Sequence, residues 1–282
     1  MTPSQADRWR KNREHWNAVA NTRNISTQEE LLNWETERQL YRSIDFVYAL
    51  RQLEPLRGMW LMDLGGGVGL SAQEFLERGA RVVIVDISLE RCKKARRQLL
   101  ESGFDGRVEC VVAEAQALPF VSECFDRLFT KSVLIHTPIA EASKELARVI
   151  HPTGRAAFIE PMRRNPFVNL YRRLQAPGIW KEITTYFSPR EFQVVGRAFQ
   201  AQKPFRIGFS RWYFLGFFGF VFSFAVTNTV LFRFFQALLQ GVDKFLLGMF
   251  PPLKNLCWFG VLTVSPRTRG KSASIRGRSL PK

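Results

Sequence analysis

The stretch Asp63-Leu64-Gly65-Gly66-Gly67-Val68-Gly69 decides the fold. An apolar run, residues 59–64, ends in an acid and passes into a glycine-rich turn. The residues beyond it, 71–78, have helical spacing. Glycines let the backbone turn tightly and let a ligand approach where a Cβ would obstruct it. In open α/β sheets ligands bind at the carboxyl ends of the strands, where the strand order reverses. A dinucleotide turn is the competing reading. Its GxGxxG spacing would need a third glycine at Leu70, whereas the spacing here is GxGxG. A pyrophosphate gains nothing from a carboxylate directly before the turn. A ligand with a cationic amino-acid end does.

Working outward, four more short apolar runs follow: residues 81–85 ending at Asp86, then 107–112, 127–130 and 156–159. The fifth comes just after an expected turn at Pro152 to Gly154. Helix-like stretches at 71–78, 89–102 and 140–150 separate them. Strands alternating with helices imply βαβ units and a mainly parallel sheet. Two late strands near 205–209 and 258–264 bring the expected total to seven. Between the fifth strand and these, 162–181 is basic and aromatic, and 188–196 predicts a helix with Ser188 as N-cap and Pro189 at its first position. The expected fold is a Rossmann-like, doubly wound α/β sheet. A helical cap over 1–50 precedes the main domain, 51–266. A hydrophobic helical insertion, 212–252, lies before the last strand, and a basic, disordered tail covers 267–282.

Beyond the glycine turn, further segments carry a resemblance. The second strand ends in Asp86 and the third in Ala113-Glu114-Ala115. Leu118-Pro119-Phe120 is followed by Cys124-Phe125-Asp126, and Lys144 to Gly154 reads KELARVIHPTG. In this order and spacing the chain resembles the class I S-adenosylmethionine-dependent methyltransferases, whose first motif is D/E-x-G-x-G-x-G, over roughly residues 59–160. Its texture is that of the ubiquinone/menaquinone and sterol enzymes. The resemblance implies S-adenosyl-L-methionine as cofactor, held by Asp63, Gly65, Gly66, Gly67, Gly69, Asp86, Ile87, Glu114 and Ala115. Asp63 would meet the amino-acid end, Asp86 the ribose hydroxyls and Glu114 the adenine. Relatives often have Gly-Asp-Ala at the third strand, so Ala113 and the longer Glu114 depart from the pattern. Asp86 alone could instead cap the next helix. Asp126 and the 118–120 segment have packing roles in this reading.

Methyl transfer needs alignment and exclusion of water, and a base only where the nucleophile must lose a proton. His136, just after the fourth strand, is the candidate base, against the plainer reading of a histidine that shapes the pocket. Glu160, ending the fifth strand, could orient a substrate hydroxyl or pair with Arg163 or Arg164. His15 and Trp16 are candidates for a lid, and His151 is expected to be solvated. No metal site is expected.

Lys and Arg number 41 against 25 Asp and Glu, a formal charge of +16, which favours anionic partners without choosing among them. Cys92, Cys110, Cys124 and Cys257 form no CxxC pair and are expected reduced, in a cytoplasmic protein with no secretory signal. Residues 212–232 carry no charge between Arg211 and Arg233. As one helix they would span about 31 Å, enough for a bilayer. If the last strand rejoins the sheet, however, both ends of the insertion lie on one side and a single crossing is excluded. Two readings stay open: a monotopic patch over 212–250 on the inner membrane face, or a cap that walls the substrate pocket. Either points to a small lipophilic or lipid acceptor. A nucleic-acid methyltransferase and a non-catalytic membrane scaffold are the alternatives. The first lacks a base-flipping motif, so no nucleic-acid partner is expected.

Overall fold

The computed structural model describes residues 3–21, 43–202, 205–216, 218 and 229–267. In chain order the elements are α1 (Pro3–Asn21), α2 (Ile44–Leu53), β1 (Trp60–Leu64), α3 (Leu70–Glu77), β2 (Arg81–Asp86), α4 (Leu89–Glu101), β3 (Val108–Val112) and β4 (Phe125–Lys131). A 3-10 turn (Leu134–His136), α5 (Ile139–Val149), β5 (Ile150–Pro161), α6 (Pro166–Leu174) and α7 (Trp180–Ile183) follow. The chain continues through α8 (Pro189–Gln202), β6 (Phe205–Trp212), α9 (Thr229–Met249), a second 3-10 turn (Pro251–Leu256) and β7 (Phe259–Pro266).

One seven-stranded sheet has the order β3-β2-β1-β4-β5-β7-β6. The first five strands pair in parallel, and β7 lies antiparallel between β5 and β6. The Rossmann-like α/β expectation therefore holds. The order reverses between β1 and β4, which opens a crevice at their carboxyl ends. Every residue of β1 is buried, as expected of a parallel strand covered on both faces. One core layer packs α2, α3 and α4 against the sheet, with Phe46 and Phe75 edge-on to Phe129 at 5.4 and 5.2 Å. The other gathers Leu146, Phe158, Phe187, Phe192 and Phe199. Helix α2 buries Phe46, Ala49, Leu50 and Leu53, a stripe at helical spacing.

Three local expectations change. Pro152 to Gly154 is no turn between elements: it lies inside β5 as a bulge, where the register jumps from Phe125↔Ile150 to Arg127↔Arg155. A Cβ on Gly154 would come within 2.9 Å of the Asp126 carbonyl, so the bulge needs the missing side chain. Helix α8 runs past Gly196 to Gln202. It starts as expected, with the Ser188 hydroxyl accepting from the Arg190 amide and the Ser188 amide donating to Glu191. Residues 212–232 do not form one helix, because Trp212 closes β6 and α9 begins only at Thr229. Most of that stretch and the 268–282 tail lie outside the described residues. Among the described residues no helix is long and apolar enough to cross a membrane. Trp212 pairs with Phe259, so both ends of the insertion do meet at one edge of the sheet. Asp243 in α9 turns inward and accepts from the amides of Phe214 and Leu215 at 3.1 and 2.8 Å. Its charge is thereby satisfied within the protein.

Candidate active site

The glycine turn, the tips of β2, β3 and β4, and α1 enclose a cavity of about 240 Å³. Leu64 and Gly65 line it from β1, Asp86 and Ile87 from β2, Glu114 and Ala115 beyond β3. Gly65 has φ +66°, and a Cβ there would lie 2.1 Å from Val133 Cγ2. Gly67, at φ +58°, directs its amide to Asp86 Oδ2 at 3.0 Å. Asp86 Oδ1 accepts from the Ser88 amide at 2.9 Å. Each oxygen keeps lone-pair capacity for a further donor, as a sugar diol would supply. The cap of α4 is Ser88, whose hydroxyl accepts from the Arg91 amide, so Asp86 is not that cap.

Asp63, expected at the amino-acid end of the ligand, is almost wholly buried. It lies beneath the turn and does not line the cavity. Its Oδ2 accepts from Ser71 Oγ at 2.6 Å, and a Cβ on Gly66 would strike that same oxygen. Burial pushes its pKa up to about 7; the Ser71 bond opposes this and the Asp86 charge adds to it. Asp63 thus braces the turn from beneath. Gly69 faces Leu99 and Ala95 of α4, so its smallness serves helix packing. Glu114 lines the cavity but its Oε2 already accepts from Gln116 at 2.6 Å.

Helix α1 closes the cavity with Trp9, Asn12 and Trp16. Trp16 stands edge-on to His136 at 5.7 Å, and the Arg91 guanidinium lies 4.8 Å from its ring. Asn12 donates to the His136 carbonyl, and Asn17 accepts from Ser88 Oγ. Arg8 donates to the Ile183 carbonyl and Lys11 pairs with Glu182 at 2.8 Å, which ties α1 to α7. His15 instead accepts from Trp180 Nε1 and lines neither cavity. The lid residue is thus Trp16.

Behind that wall lies a second cavity of about 220 Å³. Trp16, Ser132 and His136 line both. Its other walls include Tyr171, Arg172, Trp180, Tyr186 and Trp258, which sequence reasoning missed. Only the basic, aromatic texture of 162–181 hinted at them.

His136 ends the 3-10 turn, with Nδ1 3.2 Å from the Ile183 carbonyl and 3.3 Å from Thr184 Oγ1. A carbonyl only accepts, so Nδ1 carries the hydrogen and Nε2 keeps a lone pair. Burial drives the pKa down to about 4, against the Ile183 bond and assisted by the Arg8 charge. Glu160 lies at the end of β5. It is fully buried, lines neither cavity, and leaves Arg163 to Glu191 at 2.6 Å. Its Oε1 accepts the amides of Val133 and Leu134 at 3.2 and 2.9 Å, and Oε2 has no hydrogen-bond partner among the described residues. Burial raises its pKa to about 8, opposed by those amides. Glu160 positions the turn that carries His136. Asp126 accepts from the Trp60 amide, and Arg148 holds the carbonyls of Leu118 and Phe120; both are structural, as expected. His151 bonds Thr153 and the four cysteines are free thiols. Among the described residues no cluster of three metal-ligating groups occurs.

The residues present fit an adenosine-containing ligand: a carboxylate with spare lone pairs at one strand tip, apolar Ile87 and Ala115 beside it, and an approach kept open at Gly65. Residues 62–158 match the family described as a methyltransferase domain. A demethylmenaquinone methyltransferase of Clavibacter sepedonicus is 32% identical over 163 residues, 55% of this chain and 62% of the relative. A ubiquinone/menaquinone biosynthesis C-methyltransferase of Paracoccus denitrificans is 37% identical over 112 residues, 38% of this chain and 44% of the relative. The chain thus spans less than two thirds of the length of either relative. Among solved structures, geranyl diphosphate C-methyltransferase from Streptomyces coelicolor superposes with a TM-score of 0.61 at 16% identity, covering 94% of this chain and 99% of that one. Residues 62–158 thus carry a match to a methyltransferase domain within a fold shared with solved methyltransferases.

Proposed function

We propose that this protein methylates a small, lipophilic acceptor seated in the aromatic cavity behind His136. The carrying observation is the wall of Trp16, Ser132 and His136 shared by the two cavities. A cofactor held by Gly65, Asp86, Ile87, Glu114 and Ala115 would supply an electrophilic methyl group on a neutral leaving group. The chain's own residues align and shield. Trp16 and Asn12 exclude water from the cofactor side. Asp63 and Ser71 brace the glycine turn. His136, neutral with a free Nε2, takes a proton from an acceptor hydroxyl. The names of the relatives carry lipophilic acceptors, demethylmenaquinone and geranyl diphosphate, which supports an apolar acceptor here.

The reading extends to a peripheral seat on the cytoplasmic membrane face. Phe234, Leu238, Val242, Phe245 and Met249 form an exposed stripe along α9 at four- and three-residue spacing, and Phe250 continues it. Exposed Lys244 and Lys254 flank the stripe. Such a surface suits a lipid interface. The described part of α9 does not line the aromatic cavity, which favours this over a cap walling the pocket.

Calorimetry with S-adenosylhomocysteine, followed by transfer of labelled methyl into an organic extract of host cells, tests the enzyme reading. Binding and an organic-soluble labelled product are expected. Absence of binding would favour the scaffold, and label appearing only in RNA would favour a nucleic-acid enzyme.

A further inference from the structure

Among the described residues, Arg172 is the one formally charged group lining the aromatic cavity. It comes from the last turn of α6, and its guanidinium lies 3.5 Å from the Tyr186 ring centroid. Nη1 donates to the Met162 carbonyl at 3.1 Å and to Asn169 Oδ1 at 2.9 Å. Both acceptors are neutral. Among the described residues no carboxylate lies within ion-pair distance of Arg172; the nearby Glu191 is committed to Arg163 and to Ser188. Burial lowers the Arg172 pKa to about 10, with Tyr186 opposing, so the group stays cationic at neutral pH. A guanidinium withdrawn from water and lacking a counter-charge is costly, and five N–H groups give it donors beyond those its neutral partners take up.

The other walls choose the rest of the ligand. Tyr171, Trp180, Tyr186 and Trp258 offer flat apolar faces, and the remaining polar groups, Ser132, Thr184 and neutral His136, carry no charge. We propose that Arg172 is an anion-reading residue in the acceptor cavity, and that the acceptor is a flat apolar molecule bearing an acidic oxygen group such as a carboxylate. This rests on the aromatic cavity being the acceptor site. Anchoring the acid at Arg172 restricts how the acceptor lies and so which of its atoms can face His136. Arg172 is thus a specificity residue that touches the acceptor, distinct from the proton-accepting role of His136.

The test uses a matched pair of probes, 2-naphthoate and 2-naphthamide, titrated calorimetrically into the full chain saturated with S-adenosylhomocysteine. The two share a ring and differ in charge. The wild-type protein is expected to bind the carboxylate about tenfold or more tightly, the range of a hydrogen bond to a charged group. Arg172→Met should abolish that preference while leaving S-adenosylhomocysteine affinity unchanged, and Arg172→Lys should keep part of it. Equal affinity of wild type for the two probes, failure of both to bind the saturated protein, or a preference that survives in Arg172→Met would overturn the assignment. Should Arg172→Met not fold, the wild-type comparison and Arg172→Lys still decide. Failure of S-adenosylhomocysteine itself to bind would count against the methyltransferase reading instead, and with it the acceptor site.

Discussion

At His136 a single backbone carbonyl selects the tautomer, and burial keeps the ring neutral. Replacing it with Gln should lower turnover by up to about 10²-fold, the low end for a general base because a ring with a pKa near 4 is a weak one at neutral pH, with S-adenosylhomocysteine affinity intact. Unchanged turnover would reduce His136 to a wall of the pocket. The same ring affects stability. Its folded pKa, about 4, lies below the ordinary 6.5. The unfolded chain therefore binds more protons in that interval, and stability present above pH 6.5 is lost as pH falls through about 4. Glu160 has the opposite sign. Its pKa is raised from 4.5 to about 8, so its contribution is present below pH 4.5 and lost as pH rises through 8. Glu160→Gln keeps an oxygen for the amides of Val133 and Leu134 and cannot ionise. Its melting temperature should fall less than that of wild type between pH 6 and 9; parallel melting curves would refute the buried, protonation-linked role.

Among the elements, the glycine turn is shaped as much by its neighbours as by any ligand. Gly65→Ala would force a Cβ against Val133 at a left-handed φ. It should cost about 1–3 kcal/mol of stability in denaturant melts and weaken S-adenosylhomocysteine binding. Gly67→Val would be strained as well: its φ is +58°, and a Cβ there would lie 2.2 Å from the Arg91 guanidinium. Helix α1 is held by Asn12, Asn17 and Arg8 over two cavities at once. Trp16→Ala should therefore raise both the S-adenosylhomocysteine Kd and the acceptor KM. A change in only one would show that the two cavities do not share this wall in solution.

At the scale of the whole molecule, the sheet edge brings both ends of the insertion together and leaves α9 with an exposed apolar stripe. Replacing Phe234, Phe245 and Met249 with Ser should reduce flotation with anionic vesicles while sparing S-adenosylhomocysteine binding, since those side chains touch neither site cavity. Flotation equal to wild type would remove the membrane seat from the proposal. The parallel half of the sheet and the cofactor cradle were legible in the chain because their signals are local: apolar runs at fixed intervals, an acid at the tip of β2, glycines where a helix opens. What a buried acid touches is not local, so the chain alone did not show that Asp63 accepts from Ser71 or that Glu160 accepts the amides of Val133 and Leu134. Arg127 belongs with them: it appeared as a mere strand start, yet it is buried and binds the carbonyls of Leu53 and Pro55. By itself the sequence determined the winding of the sheet and the place of the glycine turn, since strand and turn patterns are short-range, and its resemblance to a known family implied the cofactor. Only the tertiary structure decided the aromatic cavity proposed for the acceptor, because Trp16, Arg172, Trp180 and Trp258 come from segments far apart in the chain and meet only when α1, α6, α7 and the approach to β7 fold over the strand tips.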